Sequence, residues 1–197
     1  MSIYNIVLFV HIVGAIGYFL SIAIWLFILV GLRRAQHVEQ VRALLHLNDL
    51  SGPFGAGSVV VLLISGLYLA FTAWRGPFGW ILVALVSLIL IVPTAAALIA
   101  PRRSAIVKQL AHEAPDDTLS EALKQHLHDP VLSSTVCTVT VLLLGIVFLM
   151  TTKPELVGSL IVMVVALVLG LLSSMLVSRM RSTPRQEVVD QKVEEAL

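Results

Sequence analysis

Residues 3–32, IYNIVLFVHIVGAIGYFLSIAIWLFILVGL, form a run of thirty residues without a formal charge. About twenty apolar residues are enough for a helix to cross the hydrocarbon core of a bilayer. The run therefore predicts a membrane-spanning helix rather than a core helix of a soluble domain. It contains one histidine, His11. Ionisable groups inside a membrane are rare and commonly functional, so His11 is the residue of this run that most needs an explanation.

The whole chain has the composition of a polytopic membrane protein. Its 197 residues are 58% hydrophobic and only 13% charged, whereas soluble domains are about one-quarter charged. The apolar residues fall in separate long blocks, and the formal net charge of +1 gives no case for nucleic-acid binding. The single cysteine, Cys137, excludes an internal disulfide and a multi-cysteine metal site.

Five apolar blocks predict an all-α bundle of five transmembrane helices in one domain, residues 1–178. Residues 33–50 are amphipathic, so we expect them to lie along the membrane surface. The Gly-Pro stretch at 51–55 is expected to break that helix, and Pro93 predicts a kink. The predicted spans are 3–32, 56–74, 78–100, 131–151 and 156–178, followed by a cytoplasmic tail at 179–197. Small residues are predicted to line the helix contacts, namely Gly14, Gly17, Ser65, Gly66 and Gly145.

The basic residues predict the orientation in the membrane. Residues 33–50, 101–130 and 179–197 hold eleven of the thirteen Lys and Arg, and the other two are Arg75 and Lys153. Because cytoplasmic loops are enriched in Lys and Arg, we expect the N-terminus outside and the C-terminus in the cytoplasm. The first span has no basic residue before it and no cleavage site after it, so we expect it to remain as an anchor. The expected location is the bacterial cytoplasmic (inner) membrane.

His11 is predicted to lie about 10 Å from the bilayer midplane, on the outer side. A neutral imidazole in hydrocarbon needs a hydrogen-bond partner or a metal. Gly14, Ala15 and Tyr18 share its helix face, and small residues there allow a flat cofactor or another helix to approach closely. One interpretation is an axial ligand of a b-type haem. The other is a histidine bonded to a Ser, Thr or Tyr of a neighbouring helix, with the glycines serving helix packing.

A haem at His11 needs further contacts from the chain. The sixth iron ligand is either absent or a methionine near the outer end of one of the last two spans. Two outer-side cations are natural partners for the haem propionates, although they can also be ordinary loop charges. The predicted cofactor-binding residues are His11, Tyr18, Arg75, Met150, Lys153 and Met163.

A second group of candidate ligands is predicted at the cytoplasmic face. His126 and His128 form an H-x-H pair that is followed by Asp129, and His46 precedes the second span. Imidazole and carboxylate groups together bind zinc, copper or iron. The predicted metal ligands are therefore His11, His46, His126 and His128, and the alternative is that the cytoplasmic histidines are ordinary loop residues.

Several function classes are disfavoured by the sequence. It has no GxSxG, Walker or GxGxxG motif, so nothing suggests hydrolysis or nucleotide use. The predicted spans contain no acidic residue, which argues against a proton-driven pump or a cation channel. No catalytic residue can be assigned, and the sequence does not decide whether the protein is an enzyme.

The chain resembles a family of small bacterial integral-membrane proteins that is catalogued as a domain of unknown function. The likeness rests on FVHIVGA at 9–15, the amphipathic linker before the Gly-Pro stretch, and LMTTKP at 149–154, and it covers about residues 3–178. The histidine-bearing first helix is also similar to two other families, the HemJ-type protoporphyrinogen oxidases and the CopD-type copper-resistance membrane domains. These resemblances imply haem or copper at His11. Leu32-Arg33-Arg34 stand where the HemJ pattern has its second histidine, so the oxidase activity itself is not implied.

Three functional hypotheses follow. The leading one is an integral membrane b-type haem protein with a redox or electron-transfer role. The second is a copper or other transition-metal binding or transport protein, and the third is a non-catalytic membrane scaffold subunit. The lipid bilayer is the expected partner, and the glycine faces and the tail allow a homo-oligomer or a respiratory redox partner.

Overall fold

The computed structural model describes residues 2–72, 74, 76, 78–114 and 118–179, with side chains as far as residue 173. Over these residues the chain forms helices and contains no strand. The helices are α1 (Ile3–Arg34), α2 (Val38–Thr72), α3 (Gly79–Leu110), α4 (Glu121–Leu127), α5 (Pro130–Thr152) and α6 (Leu156–Arg179). Five apolar helices of this region are long enough to cross a membrane, which confirms the predicted five-span all-α fold.

The two ends of the bundle differ in character. One end carries the start of α1, the end of α2, the start of α3, and residues 153–155 between α5 and α6; we call it the N-terminal end. The opposite end, which we call the polar end, carries residues 35–37, the last turns of α3, and α4. The short connections force α1 and α2, and likewise α5 and α6, to run antiparallel.

The most extensive contact is between α1 and α2, which pack closely through small residues. A Cβ atom added at Gly14 would lie 3.1 Å from Val61 Cγ1, and one added at Gly17 would lie 2.6 Å from Ser58 Oγ. Glycine at these positions lets the two backbones approach, and close van der Waals packing is what holds helices together in lipid. The small-residue contacts predicted at Gly14 and Gly17 are therefore confirmed.

The prediction that residues 51–55 break the second helix is wrong. α2 is one helix of 35 residues, and Pro53 lies in its interior. A proline removes a single helical hydrogen bond, and the contacts with α1 on both sides of Pro53 hold the two halves of α2 in line. The predicted span 56–74 is thus the second half of a helix that begins at Val38.

The prediction that residues 33–50 lie along the membrane surface is also wrong. The apolar face of this segment packs against α3 and α4, so that it belongs to a buried cluster at the polar end. Val38, Val41 and Leu123 are 0% exposed within it. The cluster contains Ile28, Leu32, Val38, Val41, Leu45, Ile106, Leu110, Leu119, Leu123 and Leu127.

Helix length explains why this cluster exists. α1, α2 and α3 have 32, 35 and 32 residues, which is about 50 Å at 1.5 Å per residue. The hydrocarbon core is about 30 Å thick, so each helix has several turns that lipid cannot cover. α3 continues through Pro93 and Pro101 to Leu110, ten residues beyond its predicted end. The excess turns bury their apolar faces against one another and against α4.

Basic side chains join the helices of the polar end. Arg42 Nη2 on α2 donates to the carbonyl oxygens of Leu110 at 3.4 Å and Glu113 at 3.0 Å, at the end of α3. Arg103 of α3 forms an ion pair with Asp49 of α2. These bonds join residues that are 54 to 71 positions apart along the chain, so they fix how the start of α2 meets the end of α3.

A second apolar cluster joins the remaining helices within the membrane. It consists of Val83, Ala84, Ile91, Leu143, Ile146, Leu149 and Met163, from α3, α5 and α6. Phe19 and Ile22 of α1 pack against it, which attaches the α1–α2 pair to the other three spans. The predicted spans 131–151 and 156–178 match α5 and α6 to within one residue at each end. The tail from residue 180, most of the predicted 179–197 segment, lies outside the described residues.

The buried cluster at the polar end leads to a testable prediction about stability. Leu123→Ala should lower the free energy of unfolding by about 2–5 kcal/mol, because it removes buried methyl groups and leaves a cavity. Leu47→Ala on α2, where the side chain is 45% exposed, should change it by less than about 0.5 kcal/mol. The measurement is denaturant unfolding of each variant in detergent. Equal losses in both variants would show that residues 38–50 and α4 do not share a core.

Candidate functional site

His11 lies on α1 with its imidazole against α2. Its Nδ1 atom is 3.1 Å from Ser65 Oγ, and Ser65 Oγ donates to the carbonyl oxygen of Val61 at 2.5 Å. A hydroxyl has one hydrogen, and two oxygens this close repel each other unless that hydrogen lies between them. Ser65 therefore accepts the bond from His11. This bond orients the imidazole against α2, and the ring also has a hydrogen-bonding contact with the backbone of Leu62.

The ring fits in place because the residue after Ser65 is glycine. A Cβ atom added at Gly66 would lie 2.9 Å from His11 Cε1 and 3.3 Å from Nδ1. Those distances are shorter than ordinary van der Waals contact, so any other residue would push the imidazole away from α2. Ser65 and Gly66 thus act together, one by bonding the ring and the other by making room for it.

Tyr18 and Met163 lie in a different part of the bundle. Tyr18, seven residues further along α1, packs against the cluster formed by α3, α5 and α6. Met163 is buried in that cluster, and its sulfur would lie 3.4 Å from a Cβ atom added at Gly145. The sulfur of Met163 is therefore in contact with α5. The helix contact predicted at Gly145 is confirmed by this packing.

The other predicted haem contacts lie towards the N-terminal end. Met150 is on an exposed face of α5. Lys153 caps α5 in the left-handed conformation, with a φ of 48°, and its Nζ lies 4.6 Å from the centroid of the Trp74 ring. The Trp74 ring meets that of Trp80 edge to face at 5.2 Å, so the ammonium rests on an aromatic pair. Arg75 lies outside the described residues.

The histidines of the polar end have separate surroundings. His46 and His126 are exposed on α2 and α4, whereas His128 Nδ1 is 2.8 Å from the carbonyl oxygen of Lys124 in its own helix. Between residues 2 and 179, leaving aside 73, 75, 77 and 115–117, no three His, Cys, Asp or Glu side chains form a group that could hold a metal ion. The metal-binding role of these histidines stays a prediction.

Two polar contacts were missed from the sequence. Ser65 was recognised as a small packing residue but not as the partner of His11. His37, between α1 and α2, pairs its backbone with Thr118 in an isolated antiparallel bridge. That bridge ties the α1–α2 connection to the chain just before α4. A serine at the same depth as an intramembrane histidine is the signal that could have revealed the first contact.

The five apolar helices define a polytopic helical membrane protein. The chain belongs to the DUF2269 family of predicted integral membrane proteins, whose model matches residues 5–154. This confirms the resemblance to a membrane family of unknown function, and the matched region includes His11, Ser65 and Gly66. No curated protein and no solved structure matches the chain. The HemJ-type and CopD-type resemblances remain expectations.

The fit of His11 against Gly66 leads to a second prediction. Gly66→Val should displace the imidazole, break its bond to Ser65 and destabilise the protein by about 1–3 kcal/mol, as overpacking does. Gly57→Val on the same helix is the matched control, because a Cβ atom at Gly57 meets nothing within 4 Å. Unfolding in detergent measures both variants. If they unfold alike, His11 is not held against α2.

Proposed function

We propose that the protein binds a b-type haem within the membrane, has a redox or electron-transfer role, and uses Nε2 of His11 as the axial ligand. The observation that supports this is the bond from Nδ1 to Ser65 Oγ at 3.1 Å. Histidines that ligate metals almost always donate their other ring N–H to a hydrogen-bond acceptor, which fixes the tautomer and the ring orientation. Ser65 and the Val61 carbonyl supply that arrangement inside an apolar span.

In this proposal the chain supplies one imidazole, that of His11, as a ligand to the haem. Met150 lies on an exposed face and Met163 lies in the α3, α5 and α6 cluster, so we take His11 as the sole axial ligand from this chain. When bound, haem supplies one-electron chemistry at its iron. This chain's own contribution is to orient the imidazole and to exclude water with apolar side chains. We assign Lys153, and from the sequence Arg75, as the cations that bind the propionates.

The orientation and location belong to the same proposal. The stretches 33–50, 101–130 and 179–197 hold eleven of the thirteen Lys and Arg. We therefore place the polar end in the cytoplasm and His11 in the outer half of the bacterial inner membrane.

A non-catalytic scaffold subunit is the second candidate function. It is favoured by the fact that Ser65 gives Nδ1 a hydrogen-bond partner and Gly66 makes room for the ring without any cofactor. In that case the role of His11 is to form an interhelical hydrogen bond with Ser65. Such bonds stabilise membrane bundles by about 0.6–2 kcal/mol. His11→Ala would then lower the thermal stability and leave no cofactor signal to lose.

Absorption spectra of detergent-purified protein, oxidised and then reduced with dithionite, test the haem. Protein from haem-replete cells should show a Soret band that shifts on reduction, and His11→Ala should abolish it because the iron loses its ligand. His46→Ala, which changes an exposed histidine of the polar end, should leave the band unchanged. A colourless wild-type preparation counts against haem, and a band retained in His11→Ala counts against His11. Stoichiometric copper without porphyrin would favour the metal-binding hypothesis.

Ser65 gives a further prediction for the same site. Ser65→Ala should weaken haem binding about 10–100-fold, as loss of such supporting bonds does in metal sites, whereas Ser65→Thr keeps the hydroxyl and should bind nearly as well as wild type. Ser58→Ala is the control, since Ser58 Oγ donates to the Phe54 carbonyl and not to the imidazole. Haem titration followed at the Soret band measures all three variants. Equal affinities in Ser65→Ala and Ser58→Ala would contradict the role given to Ser65.

A further inference from the structure

An open groove lies at the polar end, where α3, α4 and the start of α5 meet. Its volume is about 430 Å³, and it is lined by Pro101, Arg102, Ala105, His126 and Asp129. Pockets that bind small molecules have volumes of about 300–1,000 Å³, so this groove is large enough for a small ligand. The groove is remote from His11, which packs against Ser65 towards the N-terminal end of the bundle.

The groove lies at the boundary of the bilayer. The apolar run of α3 ends at Ala100, just before Pro101 and Arg102, and the apolar run of α5 begins at Val131, just after Asp129. On its membrane side, Leu98 and Val131 are 39% and 38% exposed. A molecule in the groove would thus have a polar surface around one end and exposed apolar side chains beside the other.

The charges in the groove are already arranged around Arg102. Arg102 Nε donates to Asp129 Oδ2 at 2.9 Å, and Nη1 donates to the Leu98 carbonyl at 2.6 Å. Asp129 Oδ1 accepts from the backbone N–H of Val131 at 2.8 Å. The carboxylate is therefore occupied in capping α5 and pairing with Arg102, while Nη2 takes part in neither of the two arginine bonds. The exposed imidazole of His126 lies on the other wall.

We propose that this groove binds the phosphate of a phospholipid headgroup, with Arg102 Nη2 and His126 as donors and the acyl chains along Leu98 and Val131. Guanidinium groups bind phosphate through charge-assisted hydrogen bonds. A free phosphate has the same chemistry, but the exposed apolar side chains next to the groove favour a lipid.

Thermal unfolding of delipidated protein in detergent, titrated with dioleoyl phosphatidylglycerol, tests the site. The lipid should raise the Tm of wild type, and Arg102→Gln should weaken its binding about tenfold, the effect of losing one charge-assisted bond. His126→Gln should weaken it several-fold. Lys108→Gln is the control for loss of a charge, because Lys108 is an exposed cation of α3 that does not line the groove, and it should bind as wild type does.

The His126 variant keeps the test decisive if Arg102→Gln does not fold, since Arg102 also joins α3 to Asp129. Wild-type affinity in His126→Gln and in any folded Arg102→Gln would overturn the proposal. Inorganic phosphate and dioleoylglycerol, which lacks phosphate, are the two comparison ligands. An equal rise in Tm with inorganic phosphate would overturn the lipid assignment, and an equal rise with dioleoylglycerol would overturn the phosphate assignment.

Discussion

The close packing of α1 against α2 is the contact on which the rest of the structure depends. Lipid tails are as apolar as leucine, so helices in a membrane gain no hydrophobic free energy by associating and are held by van der Waals contacts and hydrogen bonds. Gly14 and Gly17 bring the two backbones together. That approach places the His11 imidazole within reach of Ser65. Larger residues at the two glycines would separate the helices and leave the histidine without its partner.

The same two helices take part in two kinds of packing. Within the span they meet through glycine and serine, and their outward faces carry the exposed apolar side chains that lipid covers. At the polar end they meet α3 and α4 through fully buried Val and Leu, with the Arg103–Asp49 ion pair beside them, as in the core of a soluble domain. The change occurs because the helices are longer than the bilayer is thick. Water at the polar end restores the hydrophobic driving force that lipid removes.

The number of spans could be predicted because hydrocarbon leaves the backbone few alternatives. An apolar run of twenty residues must satisfy its peptide groups internally, so it forms a helix. The effect of Pro53 could not be predicted, because local sequence does not show that α1 supports α2 on both sides. That error also hid the partner of His11. If α2 is known to begin at Val38, a hairpin centred near residue 36 places residue 11 opposite about residue 61, roughly one helical turn from Ser65. That His11 needs a partner could be predicted, because a histidine in lipid is rare.

The continuity of α2 has a mechanical consequence. Val38 and Ser65 lie about 40 Å apart on the same continuous helix. Val38 is packed in the buried cluster at the polar end, and Ser65 is bonded to His11. A rotation of α2 that repacks Val38 would also turn Ser65 away from the imidazole, because rigid helices transmit such displacements. A helical hydrogen bond is missing at Pro53, so any bending of α2 would concentrate there. The contact between His11 and Ser65 is thus coupled, through the single helix α2, to the packing at the opposite end of the bundle.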